Sequence, residues 1–132
     1  MTSIVVDTSA LMAIVLGEPA AERCAESLEK PERVLISAGT LAEALIVAER
    51  RGVRDRLNRL VEGLPMEVVS VTAAMAWRVA EAADRWGKGL HPAGLNFGDC
   101  FAYALAKERA CPLLFVGNDF RKTDIPLAEA SR

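Results

Sequence analysis

Apolar residues in this chain come in short runs, broken at regular intervals by polar and turn-forming positions. Residues 4–6, Ile-Val-Val, form a β-branched run that reads as a buried strand. Asp7, Thr8 and Ser9 then offer N-cap chemistry, and a short apolar helix follows over 10–16, ended by Gly17. A second helix is predicted from Pro19, with Ala20, Cys24 and Leu28 spaced four apart on one face and Pro31 as its stop. Residues 34–36 repeat the strand pattern, and a helix over 40–51, ended by Gly52, comes next. Residues 53–64 then place Val53, Leu57, Leu60, Val61 and Leu64 at helical spacing. A strand at 68–71 precedes an amphipathic helix over 72–86, with Glu81 and Arg85 four apart on its solvent side. Residues 87–98, with four glycines and Pro92, read as a loop. A helix over 99–109, a strand over 113–116 and a polar tail complete the pattern.

Strands alternating with helices predict an α/β fold, a central parallel sheet flanked by helices on both faces. Ligands of such sheets bind beyond the carboxyl ends of the strands. A length of 132 residues suits one domain, 1-132. The 52% apolar and 26% charged shares fit a compact globule rather than a disordered chain. A net charge of −2 argues against a protein held on nucleic acid mainly by neutralising phosphates. It still admits a nuclease in which a metal ion contacts the phosphate. Cys24, Cys100 and Cys111 lack CxxC spacing and read as reduced core residues of a cytoplasmic protein. The apolar start has no basic leader and is interrupted by Asp7, so neither a signal peptide nor a membrane span is expected.

Four acids break this pattern in a consistent way. Asp7 is the only charged side chain between Ser3 and Gly17, Glu43 the only one from Thr40 to Ala48, and Asp99 the only one between His91 and Lys107. Asp119 closes the last apolar run through a Gly-Asn step. Each has a structural reading: Asp7 as a helix cap, Asp99 as a dipole partner, Thr40-x-x-Glu43 as a capping box, Asp119 as a turn residue. Their shared placement favours another. Asp7 and Asp119 follow predicted strands, while Glu43 and Asp99 lie in predicted first helical turns, so all four gather at one end of the sheet. Two carboxylates ~4 Å apart repel by about 4 kcal/mol at an effective dielectric near 20. Such a cluster must hold protons or bind a cation, and hard oxygen ligands suit Mg²⁺ or Mn²⁺ better than zinc.

Competing chemistries find less support. A single histidine, His91, excludes a metal-free ribonuclease built on a histidine pair, and no P-loop or GxGxxG is present. An aspartate-based phosphatase needs a second Asp two residues after its nucleophile, where this chain has Ser9. A phospho-receiver module needs an early acidic pair and a lysine near the last strand; Lys122 falls instead in the polar tail. Arg50, Arg51, Arg54, Arg56 and Arg59 form the one basic concentration, either solvated helix ends or an RNA- or partner-binding surface. Trp77 and Trp86 read as core or interface anchors.

Ile4-Val5-Val6-Asp7-Thr8-Ser9-Ala10, the solitary Glu43, Phe97-Gly98-Asp99-Cys100 and Leu114-Phe115-Val116-Gly117-Asn118-Asp119-Phe120 together resemble the PIN-domain nucleases. They are particularly similar to the VapC-type toxins of bacterial toxin–antitoxin pairs, in order and over nearly the whole chain. The resemblance implies a Rossmann-like sheet and a Mg²⁺-dependent endoribonuclease, homodimeric and inhibited by a VapB-type antitoxin. By position, it makes Asp7 and Asp99 the principal metal ligands. Glu43 becomes the third acid, holding metal or orienting water, and Asp119 the fourth. Thr8, Ser9 and Asn118 are implied to position water or phosphate. Asn118, Asp119 and Asp124 all remain candidates to complete the acidic site. A non-catalytic PIN-like module would be expected to lack one or more of the acids.

Overall fold

A computed structural model describes residues 2–131. Four parallel strands, β1 (Ser3–Val6), β2 (Arg33–Ser37), β3 (Met66–Val69) and β4 (Leu113–Leu114), form one sheet in the order β3-β2-β1-β4. Alternation along the strands divides the core in two. Ile4, Val6, Val34 and Ile36 face a layer made by α1 (Thr8–Leu16), α2 (Ala21–Glu29), α3 (Ala38–Arg50) and α4 (Arg54–Gly63). Val5, Leu35 and Leu113 face the other layer, α5 (Ala73–Trp86) and α6 (Phe97–Arg109). β1, β2 and β4 are thus buried on both faces, which is why residues 4–6 and 34–36 read as continuous apolar runs rather than alternating ones, whereas β3 has no buried residue.

Several boundaries differ from the sequence reading, each for a local reason. The third strand covers Met66–Val69 rather than 68–71, because Met66 through Val69 pair with Val34 through Ser37. The last strand stops at Leu114; beyond it the Val116 amide bonds to a side chain instead of a neighbouring strand. Asn96 caps α6, drawing Phe97 and Gly98 out of the expected loop and into the helix. Ser37 caps α3, so Glu43 lies in its second turn and the Thr40–Glu43 capping box does not form. Only Thr40, Ala44 and Ala48 of α3 are buried, and Ile46 is 53% exposed, so this helix is less covered than its apolar sequence suggests. Trp86 is a core residue, whereas Trp77 is 75% exposed and anchors nothing within this chain's core.

The tail is more than polar. Ile125 and Ala128 are buried, Leu113 N–H donates to Pro126 O, and Ala128 N–H donates to Leu113 O. Ser131 Oγ donates to Phe115 O at 2.8 Å and accepts from Phe115 N–H at 2.7 Å. The segment therefore satisfies the outer edge of β4. The three cysteines are free and buried. No described helix is long and apolar enough to cross a membrane.

Candidate active site

The site lies where β1 ends. Asp7 follows Val6 directly, its amide tied to Leu114 O at 3.0 Å, and its side chain caps α1. The N–H and the hydroxyl of Ser9 both donate to Asp7 Oδ2, at 3.1 and 2.7 Å. Asp7 is 2% exposed, yet its Oδ1 has no hydrogen-bond partner in the structure. The capping role is therefore real and occupies only half of the carboxylate. Burial raises the Asp7 carboxyl to about 7, the charges of Asp99 and Glu43 push the same way, and the Ser9 hydrogen bonds only partly oppose them.

Asp99 reaches the same place from α6. It forms a capping box with Asn96: Asp99 N–H donates to Asn96 Oδ1 at 2.9 Å, and Asn96 N–H donates to Asp99 Oδ2 at 3.0 Å. Burial lifts Asp99 to about 6 against the Asn96 bond, and the charges of Asp119 and Glu43 add to the rise. Glu43 comes from α3 and is held at Oε1 by the Thr8 hydroxyl at 2.6 Å. Thr8 Oγ1 also lies 3.3 Å from Thr40 O, so one buried hydroxyl links α1 to α3.

The fourth position separates cleanly. Asp119 is exposed at the head of a short 3₁₀ turn, Phe120–Lys122, and its charge reaches Asp99. Asn118 is exposed beside it. Asp124 belongs elsewhere: it accepts from Tyr103 Oη at 2.6 Å and Lys107 Nζ at 2.7 Å and lies 3.9 Å from Arg85. Of the three candidates, Asp124 leaves the site. The single histidine, His91, is engaged within its own loop and with α5: its Nδ1 accepts from Ala93 N–H and its ring meets Trp86 edge-on at 4.7 Å.

Ser9 does something the sequence did not reveal. Its hydroxyl also accepts from Val116 N–H at 3.0 Å, hanging the Asp119-bearing turn from the residue that holds Asp7. A partner 107 positions away leaves no local signal. The Asn96–Asp99 box, by contrast, was readable as a polar residue three places before an acid. Among the described residues, no three His, Cys, Asp or Glu groups close on a single point in this structure. The charges of Asp99 and Glu43 nonetheless add to the rise at Asp7, and those of Asp119 and Glu43 to the rise at Asp99. An all-oxygen donor set with one buried unpartnered oxygen fits a hard divalent cation.

Comparison with known proteins supplies the family. The family model of the PIN domain matches residues 4–126. The chain is a PIN-domain protein. VapC ribonuclease Mb0640 of Mycobacterium bovis is 42% identical over 125 residues, spanning 92% of this chain and 95% of that protein. Ribonuclease VapC36 of Mycobacterium tuberculosis is 45% identical over 125 residues, spanning 92% and 90%. This PIN domain is therefore of the VapC type, a class whose nucleases depend on divalent metal. Solved structures share its fold at low identity. Mycobacterium tuberculosis VapC20, a sarcin-ricin loop cleaving toxin, superimposes with a TM-score of 0.76 at 20% identity, covering 92% of this chain and 95% of that one. VapBC2 from Rickettsia felis, bound to a DNA fragment from its promoter, gives 0.71 at 17% identity, covering 96% and 97%.

Proposed function

We propose that this PIN domain is a metal-dependent endoribonuclease, the toxin of a type II toxin–antitoxin pair, neutralised by a VapB-type antitoxin. The observation that carries the reading is Asp7: a carboxylate taken out of water with one oxygen unpartnered, at the end of the sheet and within reach of the charges of Asp99 and Glu43. Asp7 and Asp99 would hold the ion, Mg²⁺ with Mn²⁺ as substitute, and Glu43 and Asp119 would support them. When bound, the ion supplies Lewis-acid chemistry, activating water and offsetting charge on the phosphoryl oxygens.

The chain's own groups do the rest. Ser9 occupies Asp7 Oδ2 and so leaves Oδ1 for ligation. Asn96 fixes the rotamer of Asp99 from its own helix cap. Thr8 occupies Glu43 Oε1, leaving Oε2 to take a proton from the attacking water. Thr8 and Ser9 thus act on the carboxylates. Asn118, exposed beside Asp119, is the polar side chain offered to phosphate. Water attack in line with the 3′-oxygen leaves 3′-hydroxyl and 5′-phosphate ends.

The exposed apolar residues suit protein partners. Ile46 and Phe97 flank a groove of about 410 Å³ between α3 and α6 that runs from Glu43 to Arg50. An antitoxin seated there would cover the site, and Trp77 offers apolar surface for a second copy in a homodimer. The test is cleavage of an RNA pool with Mg²⁺ or Mn²⁺, alongside EDTA, Asp7→Asn and Asp99→Asn controls. Activity that survives both the chelator and the substitutions overturns the reading, as does a 2′,3′-cyclic phosphate product.

A further inference from the structure

Gly98 is where the chain makes room for Glu43. A methyl group placed on Gly98 would lie 1.9 Å from Glu43 Oε2, 2.4 Å from Cδ and 2.6 Å from Oε1. All three distances are far inside contact, so only hydrogen fits while Thr8 holds the carboxylate in place. The backbone makes no such demand. Gly98 is not among the glycines at positive φ; it is the second residue of α6, where alanine is the better helix former. Gly39, on the facing side of the same helix crossing, differs in kind: its methyl would meet the Phe101 ring at 2.4 Å, an apolar packing contact.

We propose that Gly98 is a positioning residue for hydrolysis. By lacking a side chain, it lets α6 carry Asp99 and α3 carry Glu43 to the same phosphate. The inference rests on the hydrolytic reading of Glu43 given above. It accounts for a glycine directly before the metal-binding aspartate that neither backbone conformation nor helix propensity explains.

The Glu43 carboxylate is the mobile end of a long side chain, so Gly98→Ala is expected to fold, with the carboxylate displaced from Thr8. Its kcat on an RNA oligonucleotide should fall about tenfold to a hundredfold, as misplacement of a reacting group by about 1 Å does. KM should change less than about threefold if substrate binding is untouched. In a Glu43→Ala background the same substitution meets no carboxylate. There kcat should match that of Glu43→Ala alone, and the melting temperature of the metal-free protein should rise by about 3 °C through helix propensity. In the wild-type background Gly98→Ala should leave that temperature unchanged or lower it. A Gly98→Ala protein that folds only when Glu43 is also removed gives the same answer. Gly98→Ala shifts that are equal in the two backgrounds, in kcat or in melting temperature, overturn the proposal. Full nuclease activity in Glu43→Ala would remove the hydrolytic reading of Glu43 and the positioning role with it. Opposite melting shifts would then still register the steric contact, which separates the two failures.

Discussion

Two aspartates of this molecule show how differently one residue type can be used. Asp124 accepts hydrogen bonds from Tyr103 and Lys107 and faces Arg85. Burial works against its charge, but the bonds from Lys107 and Tyr103 and the charges of Lys107 and Arg85 outweigh it and hold the carboxyl below its usual range. Asp7 is buried more completely, meets acids instead of bases, and is lifted to about 7. The first carboxylate is finished within the chain: it ties the tail to α5 and α6 and asks for nothing more. The second is left incomplete, which is the condition of a group that binds something.

Substituting each aspartate by asparagine should separate the two most sharply. Without metal at pH 8, Asp7→Asn removes an uncompensated buried charge and should stabilise the fold by on the order of 2–4 kcal/mol. Asp124→Asn should instead cost about 1–3 kcal/mol, because the Tyr103 hydroxyl and Lys107 lose a charged acceptor. Denaturant unfolding of the two variants measures both, and shifts of the same sign would erase the distinction.

A pH series tests the same contrast without mutation. Unfolded aspartates titrate near 3.8, whereas Asp7 and Asp99 titrate at about 7 and 6 in the folded chain. Between those limits the folded state holds protons that the unfolded state has released, so stability falls as pH rises from about 4 to 7 and levels off above. The metal-free melting temperature should therefore be lower at pH 8 than at pH 5. Added Mg²⁺ or Mn²⁺ should restore more of it at pH 8, where the ligands are charged. Asp7→Asn should flatten most of the slope; a slope that persists undiminished places its origin elsewhere. Asp119 should give the smallest effect. It is exposed and touches the site only through its charge, so Asp119→Asn should slow RNA cleavage by no more than about tenfold.

Much of the site was legible in the sequence because each acid carries a local anomaly, a lone charge in an apolar run. The β-α alternation likewise placed Asp7 and Asp99 at one end of the sheet. What was not legible depends on pairings between distant segments. Nothing near Glu43 announces that Thr8 will claim its Oε1, so Thr40-x-x-Glu43 also admits a capping-box reading. Asp124 and Asp119 are five positions apart in similar polar surroundings. Only the placement of Tyr103 and Lys107 on α6 sends one to a structural network and leaves the other beside Asp99. Arg54 and Arg56 in the basic concentration are also engaged locally, Arg54 3.8 Å from Glu49 and Arg56 donating to Val15 O.

The pair of hydrogen bonds between Ser131 and Phe115 has a consequence for how such a sheet can be extended. An unpaired strand edge is an invitation to another strand, whether from a partner or from aggregation. Here residues 125–131 answer that invitation from within the chain, with backbone bonds at Leu113 and a serine hydroxyl at Phe115. Among the described residues, the remaining edge is β3, where Glu67 pairs with Arg33 across the strands and puts charge on the border. Cutting the chain before Ile125 would expose a second, apolar border at Leu113 and Leu114. Self-association of such a truncated chain would then proceed by strand addition, a route the intact fold keeps shut.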